Sequence, residues 1–335
     1  MRYFITGGLG FIGTNFIKRL VKDDKNFIIN VDYKSKFSMS NLKKNLNNYK
    51  FIKCDISKKK KIEQLIFQYK PNVIVNFAAE SHVDRSISSP NKFIVSNILG
   101  TYSLIEASKK YLESRNNNDS FFKFIHISTD EVYGSLSKKG KAFDEKSNYK
   151  PNSPYSASKA SSDFLVRSWF ETYNLPAIIT NCSNNYGPWQ HPEKLIPKTI
   201  MNAIEQKNIP IYGKGENIRD WIFVDDHINA ILLLIKKGKD GNKYNIGSYQ
   251  EFTNIQIVNK ICEYLDKVKP INKSYSSLIK FVSDRKGHDF RYAINSNKIE
   301  KECNFKSKYS FEKGLKITID WYIKNFDYIK SLNKK

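Results

Sequence analysis

The stretch that most constrains this chain is residues 1–32. Arg2–Thr6 reads as a short apolar strand, Gly7-Gly8-Leu9-Gly10-Phe11-Ile12-Gly13 as a tight turn, and the residues through Leu20 as an amphipathic helix. Glycines 7, 10 and 13 fit a GxxGxxG spacing, and 8, 10 and 13 fit GxGxxG as well. Either match alone is weak. Context strengthens it: a strand precedes, a helix comes after, and a second strand over residues 27–31 ends in Asp32, nineteen residues beyond Gly13. Glycines let a backbone approach a pyrophosphate at a helix N-terminus, and an acid ending the second strand can accept both ribose hydroxyls. Asp32 would repel a 2′-phosphate, so this half predicts NAD rather than NADP. The structural alternative is a glycine turn with a capping Asp.

Alternation of strand and helix continues. Residues 51–55 read as a third strand with Asp55 and Ile56 at the edge of an adenine pocket, residues 62–69 as a helix, and residues 73–79 as a nearly all-apolar fourth strand. Ala78 and Ala79 are small enough for close passage of a cofactor, and the polar septet at 80–86 faces the same edge. His82 has no second His or Cys nearby, so no metal is expected; it either lines the pocket or holds its loop by hydrogen bonds. Residues 92–112 read as one long helix. Asn97 in its middle is not a choice of helix propensity, so it either supports the cofactor side of the site or is simply exposed in an Asn-rich chain.

The fifth strand, residues 121–127, delivers Ser128, Thr129, Asp130 and Glu131 to its carboxyl end, where ligands of open α/β sheets bind. Adjacent carboxyls tend to split their pKa values, leaving one protonated and one ionised. A helix then begins near Pro154, with Tyr155 and Lys159 at i and i+4 on one face. An ammonium beside a phenol favours the phenolate, so the pair predicts a Tyr pKa lowered toward working pH, a general base. Residues 177–182 form a sixth strand, followed by a turn at 183–188 whose amides could bind nicotinamide and substrate. Arg219 and Arg285 are two of only eight arginines; each is a candidate diphosphate clamp or a salt-bridged core residue.

With 335 residues the chain can bury one large domain or two fused ones. No apolar run reaches the roughly 18 to 20 residues of a membrane span, and no signal-peptide h-region follows Met1, so a soluble, cytoplasmic protein is expected. Cys54, Cys182, Cys262 and Cys303 form no CxxC pair and read as reduced structural thiols. The formal charge of +23 raises nucleic acid or an anionic membrane as partners. Lys dominates the basic residues and is dispersed among Asn and Ile, which reads as a solvated surface rather than a binding patch.

In content and order, the glycine turn, Asp32 and the Tyr155/Lys159 pair resemble the extended short-chain dehydrogenases/reductases. The longer strings AAESHVDRS (78–86), STDEVYG (128–134), YSASKA (155–160), NCSNNYGP (181–188) and IRDW (218–221) resemble the dTDP-glucose 4,6-dehydratase family over residues 2–292. Relatives that epimerise or decarboxylate nucleotide sugars generally lack the adjacent acids. The resemblance implies an α/β fold, a Rossmann-type doubly wound parallel sheet with a smaller C-terminal substrate-binding domain. Residues 1–183, with 221–250 returning, would bind NAD; residues 184–220 and 251–335 would bind the nucleotide sugar.

It also implies an NAD-dependent hydro-lyase. Tyr155, assisted by Lys159 and with Thr129 holding the sugar oxygen, would take the C4 hydroxyl proton; Glu131 would take the C5 proton while Asp130 protonates the departing C6 hydroxyl. Gly7, Gly10, Phe11, Ile12, Gly13, Asp32, Asp55, Ile56, Phe77, Ala78, Ala79, Ser96, Tyr155, Lys159 and Asn185 would contact NAD. Ser81, Thr129, Asn184, Lys194, Leu195, Pro210, Ile211, Tyr212, Arg219, Asn254, Asp284, Arg285 and His288 would line the sugar-nucleotide site. A homodimer pairing helices around 92–112 and 155–173 is implied, with no nucleic-acid or membrane partner. The chain departs from the family pattern by an apparent insertion at 33–38, by Ser96 for a usual Thr, and by Lys286 for a usual Pro. Alternatives are the same chemistry on UDP-glucose, another NAD-dependent nucleotide-sugar epimerase or dehydratase, and a non-enzymatic NAD-sensing or nucleic-acid-binding protein.

Overall fold

The computed structural model describes residues 1–33, 46–115, 121–285 and 287–333. The apparent insertion at 33–38 (beyond residue 33) and Lys286 lie outside them. Short apolar runs become β1 (Arg2–Thr6), β2 (Phe27–Asp32), β3 (Tyr49–Lys53), β4 (Val73–Asn76), β5 (Lys123–Thr129) and β6 (Ala177–Cys182). The chain then leaves to form β7 (Asn184–Tyr186), β8 (Ile209–Tyr212) and β9 (Ile218–Phe223), and returns as β10 (Lys243–Ile246). These give a seven-stranded sheet in the order β10-β6-β5-β4-β1-β2-β3, every neighbouring pair parallel. Strand order reverses between β1 and β4, so a crevice opens outside their carboxyl ends.

Helices cover both faces, which is why the central strands lack polar alternation. On one side Phe16, Ile17 and Leu20 join Ile228, Ile231 and Leu234 over Ile5, Val75 and Ile125. On the other, Ile62, Leu65, Leu104, Ile105 and Val166 pack on Phe4, Ile74 and Phe124. The remaining strands are β11 (Glu251–Thr253), β12 (Ile279–Val282) and β13 (Arg291–Tyr292). β9 is the hub of a smaller sheet, pairing antiparallel with β11 and parallel with β13 and β7. A separate core of Ile196, Ile200, Ile257, Ile261, Phe311 and Ile319 lies beneath it.

The third strand is Tyr49–Lys53 rather than 51–55, the expected turn at 183–188 contains β7, and three further elements differ from their sequence reading. β5 ends two residues later than expected, because Ser128 and Thr129 continue the ladder opposite Asn181 and Cys182; backbone pairing is indifferent to side-chain polarity. β4 stops at Asn76, and residues 77–82 leave the sheet. The expected continuous helix is Pro90–Phe93, a π-helical turn Ile94–Leu99 and Gly100–Glu113. The wider turn carries Asn97 inward, where it is 1 % exposed.

The Pro154–Tyr173 helix has a capping box: Ser153 Oγ accepts from Ser156 N while Ser156 Oγ accepts from Ser153 N, with Pro154 in the first turn. This start sets where Tyr155 falls. Ser153→Ala should cost about 1 kcal/mol, read as a lower denaturant midpoint at unchanged slope.

Candidate active site

At the end of β1 the backbone turns back at Gly7, whose φ of +69° disfavours any side chain and whose Cβ would stand 2.5 Å from the Ala78 nitrogen. The glycine turn and the exit of β4 therefore touch. The Phe11–Leu20 helix comes next, with Gly10 as a side-chain-free cap and no acid in its first turn, so its positive end stays open to an anion. Asp32 turns a carboxylate oxygen to the Leu9 amide at 2.8 Å. Burial pushes this acid up to about 6, against the Leu9 and Tyr33 amides. A cleft of about 840 Å³ runs from the glycine turn past Phe77 and Ala79 to Thr129, Asp130, Glu131, Tyr155 and Lys159.

At its far end Thr129 caps a single tight turn, accepting from the Glu131 amide at 3.3 Å and donating to Asp130 Oδ1 at 3.3 Å. Asp130 is 2 % exposed, and its Oδ2 has no hydrogen-bond partner. Burial, reinforced by the charges of Glu131 and Asp220, holds its carboxyl well above the usual range. Glu131 is also raised by burial, but Arg219 and Lys194 oppose the rise. The pair is thus split electrically, with Asp130 the better proton holder.

Tyr155 and Lys159 reach this turn from the Pro154–Tyr173 helix and line the same cleft as Thr129. The expected lowering of the phenol pKa is not what this structure shows. Burial and then Glu131 raise it well above its ordinary value, with the neighbouring Thr129 hydroxyl opposing the rise. Lys159 donates to the Ile127 carbonyl at 2.7 Å, and its own burial lowers it to about 8 despite Asp163. Desolvation here outweighs the i,i+4 ammonium.

A second chamber of about 290 Å³ opens beyond Glu131, lined by Asn184, Lys194, Leu195, Pro210, Ile211, Tyr212, Arg219, Asn254, Arg285 and His288. Arg219 is pinned by the carbonyls of Ile218, Phe290 and Asp289, and its guanidinium lies 4.3 Å from the Tyr292 ring centroid. Among the described residues it is held by carbonyls and forms no core salt bridge. Arg285 does pair with Asp84, at 2.6 Å, and lies over the Tyr212 ring. Asp284 does not line this chamber but is bonded to His288, which does, at 2.7 Å. Ser81 and Thr129 border the larger cleft instead.

Not every expected residue reaches the larger cleft. Asp32 is turned to the Leu9 amide, Asp55 accepts from the Ser57 amide, Ile56 packs under Gly100, Ser96 sits in the π-helical turn, and Ala78 backs the glycine turn; none of them lines that wall. Asn185 borders it, with its side-chain amide oxygen bonded to His227 at 2.8 Å. Both readings of His82 hold: it lines the cleft and caps the Val83–Ser88 helix through the Arg85 amide. Asn97 is not an exposed amide. It bonds both backbone groups of Glu80, at 2.8 and 3.0 Å, and Ser158 at 2.8 Å.

Sequence reasoning missed Glu193, Asp163, Asp289 and Tyr292. Glu193 pairs with Arg85 across the cleft mouth, and its neighbour Lys194 donates to the Ser81 carbonyl at 2.8 Å. Asp163 lies one turn beyond Lys159 on the same helix face, a spacing that could have flagged it.

Fold and site together define an extended short-chain dehydrogenase/reductase. A family model described as GDP-mannose 4,6 dehydratase matches residues 4–318. The chain is 45% identical over 348 residues to the dTDP-glucose 4,6-dehydratase of Salmonella typhimurium, covering 99% of this chain and 95% of the relative. The solved dTDP-glucose 4,6-dehydratase of Bacillus anthracis, in complex with NAD, is 43% identical with a TM-score of 0.86, covering 99% of both chains. That of Streptomyces venezuelae, with NAD and TYD bound, is 36% identical with a TM-score of 0.89, covering 99% of this chain and 100% of the other. The chain belongs to the dTDP-glucose 4,6-dehydratase family.

Asn97→Ala would leave the Glu80 backbone groups unpaired inside the protein and should cost about 2 kcal/mol. Hydrogen exchange at residues 79–82 should rise with it; unchanged exchange there would show that Asn97 does not hold that loop.

Proposed function

We propose that the protein converts dTDP-glucose to dTDP-4-keto-6-deoxyglucose and water, using NAD that is returned unchanged. The observation that carries this reading is the buried Asp130/Glu131 pair, with Asp130 Oδ2 unpartnered, beside Tyr155 in the cofactor cleft. An epimerase needs a base near C4 but no such neighbouring acids.

The residues present fit NAD. A Cβ at Gly13 would collide with the Gly7 carbonyl, the open helix start suits a pyrophosphate, and Asp32 offers a carboxylate where a ribose would lie. NAD, when bound, supplies a hydride acceptor restored within the cycle and a positive ring that favours the Tyr155 phenolate. Tyr155 takes the C4 hydroxyl proton, with Thr129 holding the same oxygen and Lys159 supporting the phenolate. A C4 ketone acidifies C5, and Glu131, kept the more ionised of the two acids by Arg219 and Lys194, removes that proton. Asp130 gives its proton to the departing C6 hydroxyl, which leaves as water. Arg219 and Arg285 hold the diphosphate in the chamber beyond Glu131.

Residues 1–183 with 221–250 are assigned to the cofactor half, and 184–220 with 251–335 to the sugar half; the return of β10 to the large sheet supports this division. Ile94 and Leu99, each 48 % exposed, and Phe164, 60 % exposed, leave apolar surface on the two helical stretches expected to pair, which supports a homodimer. Light scattering should give twice 39.0 kDa. No helix among the described residues is long and apolar enough to cross a membrane. Four buried, unpaired cysteines suit the reducing cytoplasm.

Purified protein with dTDP-glucose should yield the alkali-induced ultraviolet absorbance of a 4-keto sugar. Silence with every nucleotide-glucose tried would end the enzymatic reading, and a preference for UDP-glucose would move the base assignment. Glu131→Gln should keep the cofactor yet stop solvent deuterium entering C5; undiminished incorporation removes Glu131 from its role. Because Asp32 ionises only above about 6, NAD retention should weaken as pH falls through that value. Asp32→Asn should flatten the dependence, measured as nucleotide absorbance surviving gel filtration.

A further inference from the structure

Beneath the site lies a buried carboxylate that the proposed reaction does not use. Asp163 is on the helix that carries Tyr155 and Lys159, eight and four residues further along, so all three share a face. It is 2 % exposed. Its Oδ2 accepts from Ser128 Oγ at 2.8 Å, Tyr149 OH at 2.9 Å and Asn181 Nδ2 at 3.2 Å. Asn181 Nδ2 also donates to the Thr129 carbonyl at 3.1 Å. One carboxylate thus gathers the ends of β5 and β6, and the loop before the helix, onto the helix itself.

We propose that Asp163 is a positioning residue: its carboxylate holds the Tyr155/Lys159 helix in register with the Thr129–Asp130–Glu131 strand end and supplies the buried negative charge facing the Lys159 ammonium. This inference rests on the dehydratase reaction. A buried ammonium without a counter-charge tends to release its proton, and a neutral Lys159 could not support a phenolate. Asp163 is the largest influence keeping that proton in place, ahead of Cys182 on β6. His126 on β5, with Nε2 3.4 Å from Asp163 Oδ1, does not neutralise that carboxylate, since burial pushes it down to about 4 and it is uncharged near pH 7. The other ionisable groups facing Asp163 are Tyr149 from the loop, Tyr133 from the turn after β5 and Lys243 on β10. Both tyrosines are raised far above working pH, so they donate hydrogen bonds without adding charge.

The geometry separates two duties. Three donors spend themselves on a single oxygen, which fixes position. The charge then acts on Lys159, whose own hydrogen bond goes to a neutral carbonyl. A residue serving only the packing of the core would do the first and not the second.

The test compares wild type, Asp163→Asn and Asp163→Glu on the full-length protein, with dTDP-glucose as substrate. Asp163→Asn should move the alkaline limb of kcat down by about one pH unit or more, while KM stays within about twofold. Asp163→Glu should return the limb toward wild type. The same titration is read without turnover, from the pH dependence of Lys159 acylation followed by peptide mass spectrometry. Should Asp163→Asn not fold, Ser128→Ala, which removes one donor and leaves the charge, should lower kcat about tenfold with the limb unmoved. An unshifted limb and an unshifted Lys159 titration in a folded Asp163→Asn would overturn the inference, as would undiminished kcat in Ser128→Ala. Wild type that turns over no nucleotide-glucose would count against the proposed function alone, and the acylation titration would still decide the role of Asp163.

Discussion

Desolvation of ionisable groups at the carboxyl edge of the large sheet is the constraint on which the rest of this structure depends. Asp130, Asp220, Lys159 and Asp163 are all less than 9 % exposed, and each sits among partners that offset part of the cost. Water would level these groups to their ordinary values. Away from it, small differences in neighbours become large differences in proton affinity, and two acids adjacent in sequence can hold opposite protonation states.

That edge must be built from elements distant in sequence. The turn after β5 supplies the acids, the Pro154–Tyr173 helix supplies the phenol and ammonium, and β9 supplies Arg219 and Asp220. β7 starts one residue after β6 and pairs with β9, so the smaller sheet is tied directly to the end of the larger one. Glu131 borders both cavities and stands where the two sheets meet. Arg85 with Glu193, Asp84 with Arg285, and Lys194 with the Ser81 carbonyl span the mouth of the cleft. The larger cleft and the sugar-nucleotide chamber are therefore two parts of one groove.

Rigidity comes from satisfying polar groups, not from excluding them. Arg219 would be an expensive cation to bury, yet three carbonyls and the Tyr292 face hold it in place. Asn97 does the same for the loop after β4, through an extra residue of helical winding that a uniform α-helix would not allow. Asp226 takes the amides of Lys308 and Tyr309 and the Ser307 hydroxyl, fastening the C-terminal segment to the Val224–Lys237 helix.

Much of this was legible in the residues. Strand, glycine turn, helix and Asp32 are local patterns, because the periodicities and the glycine requirement arise within a few residues of backbone. The string from Ser128 to Gly134, with Tyr155 and Lys159 behind it, carried the site for the same reason. What the chain order could not reveal depends on burial and on partners far along the chain. The π-helical turn within the expected long helix goes with a bond between Asn97 and Glu80, seventeen residues apart. The rise of the Tyr155 pKa, against the lowering that its spacing from Lys159 suggests, follows from a low-dielectric setting that only the packed fold creates. Sequence by itself determined which groups could do the chemistry; tertiary structure decided their protonation, because that is set by what surrounds a side chain and not by what adjoins it.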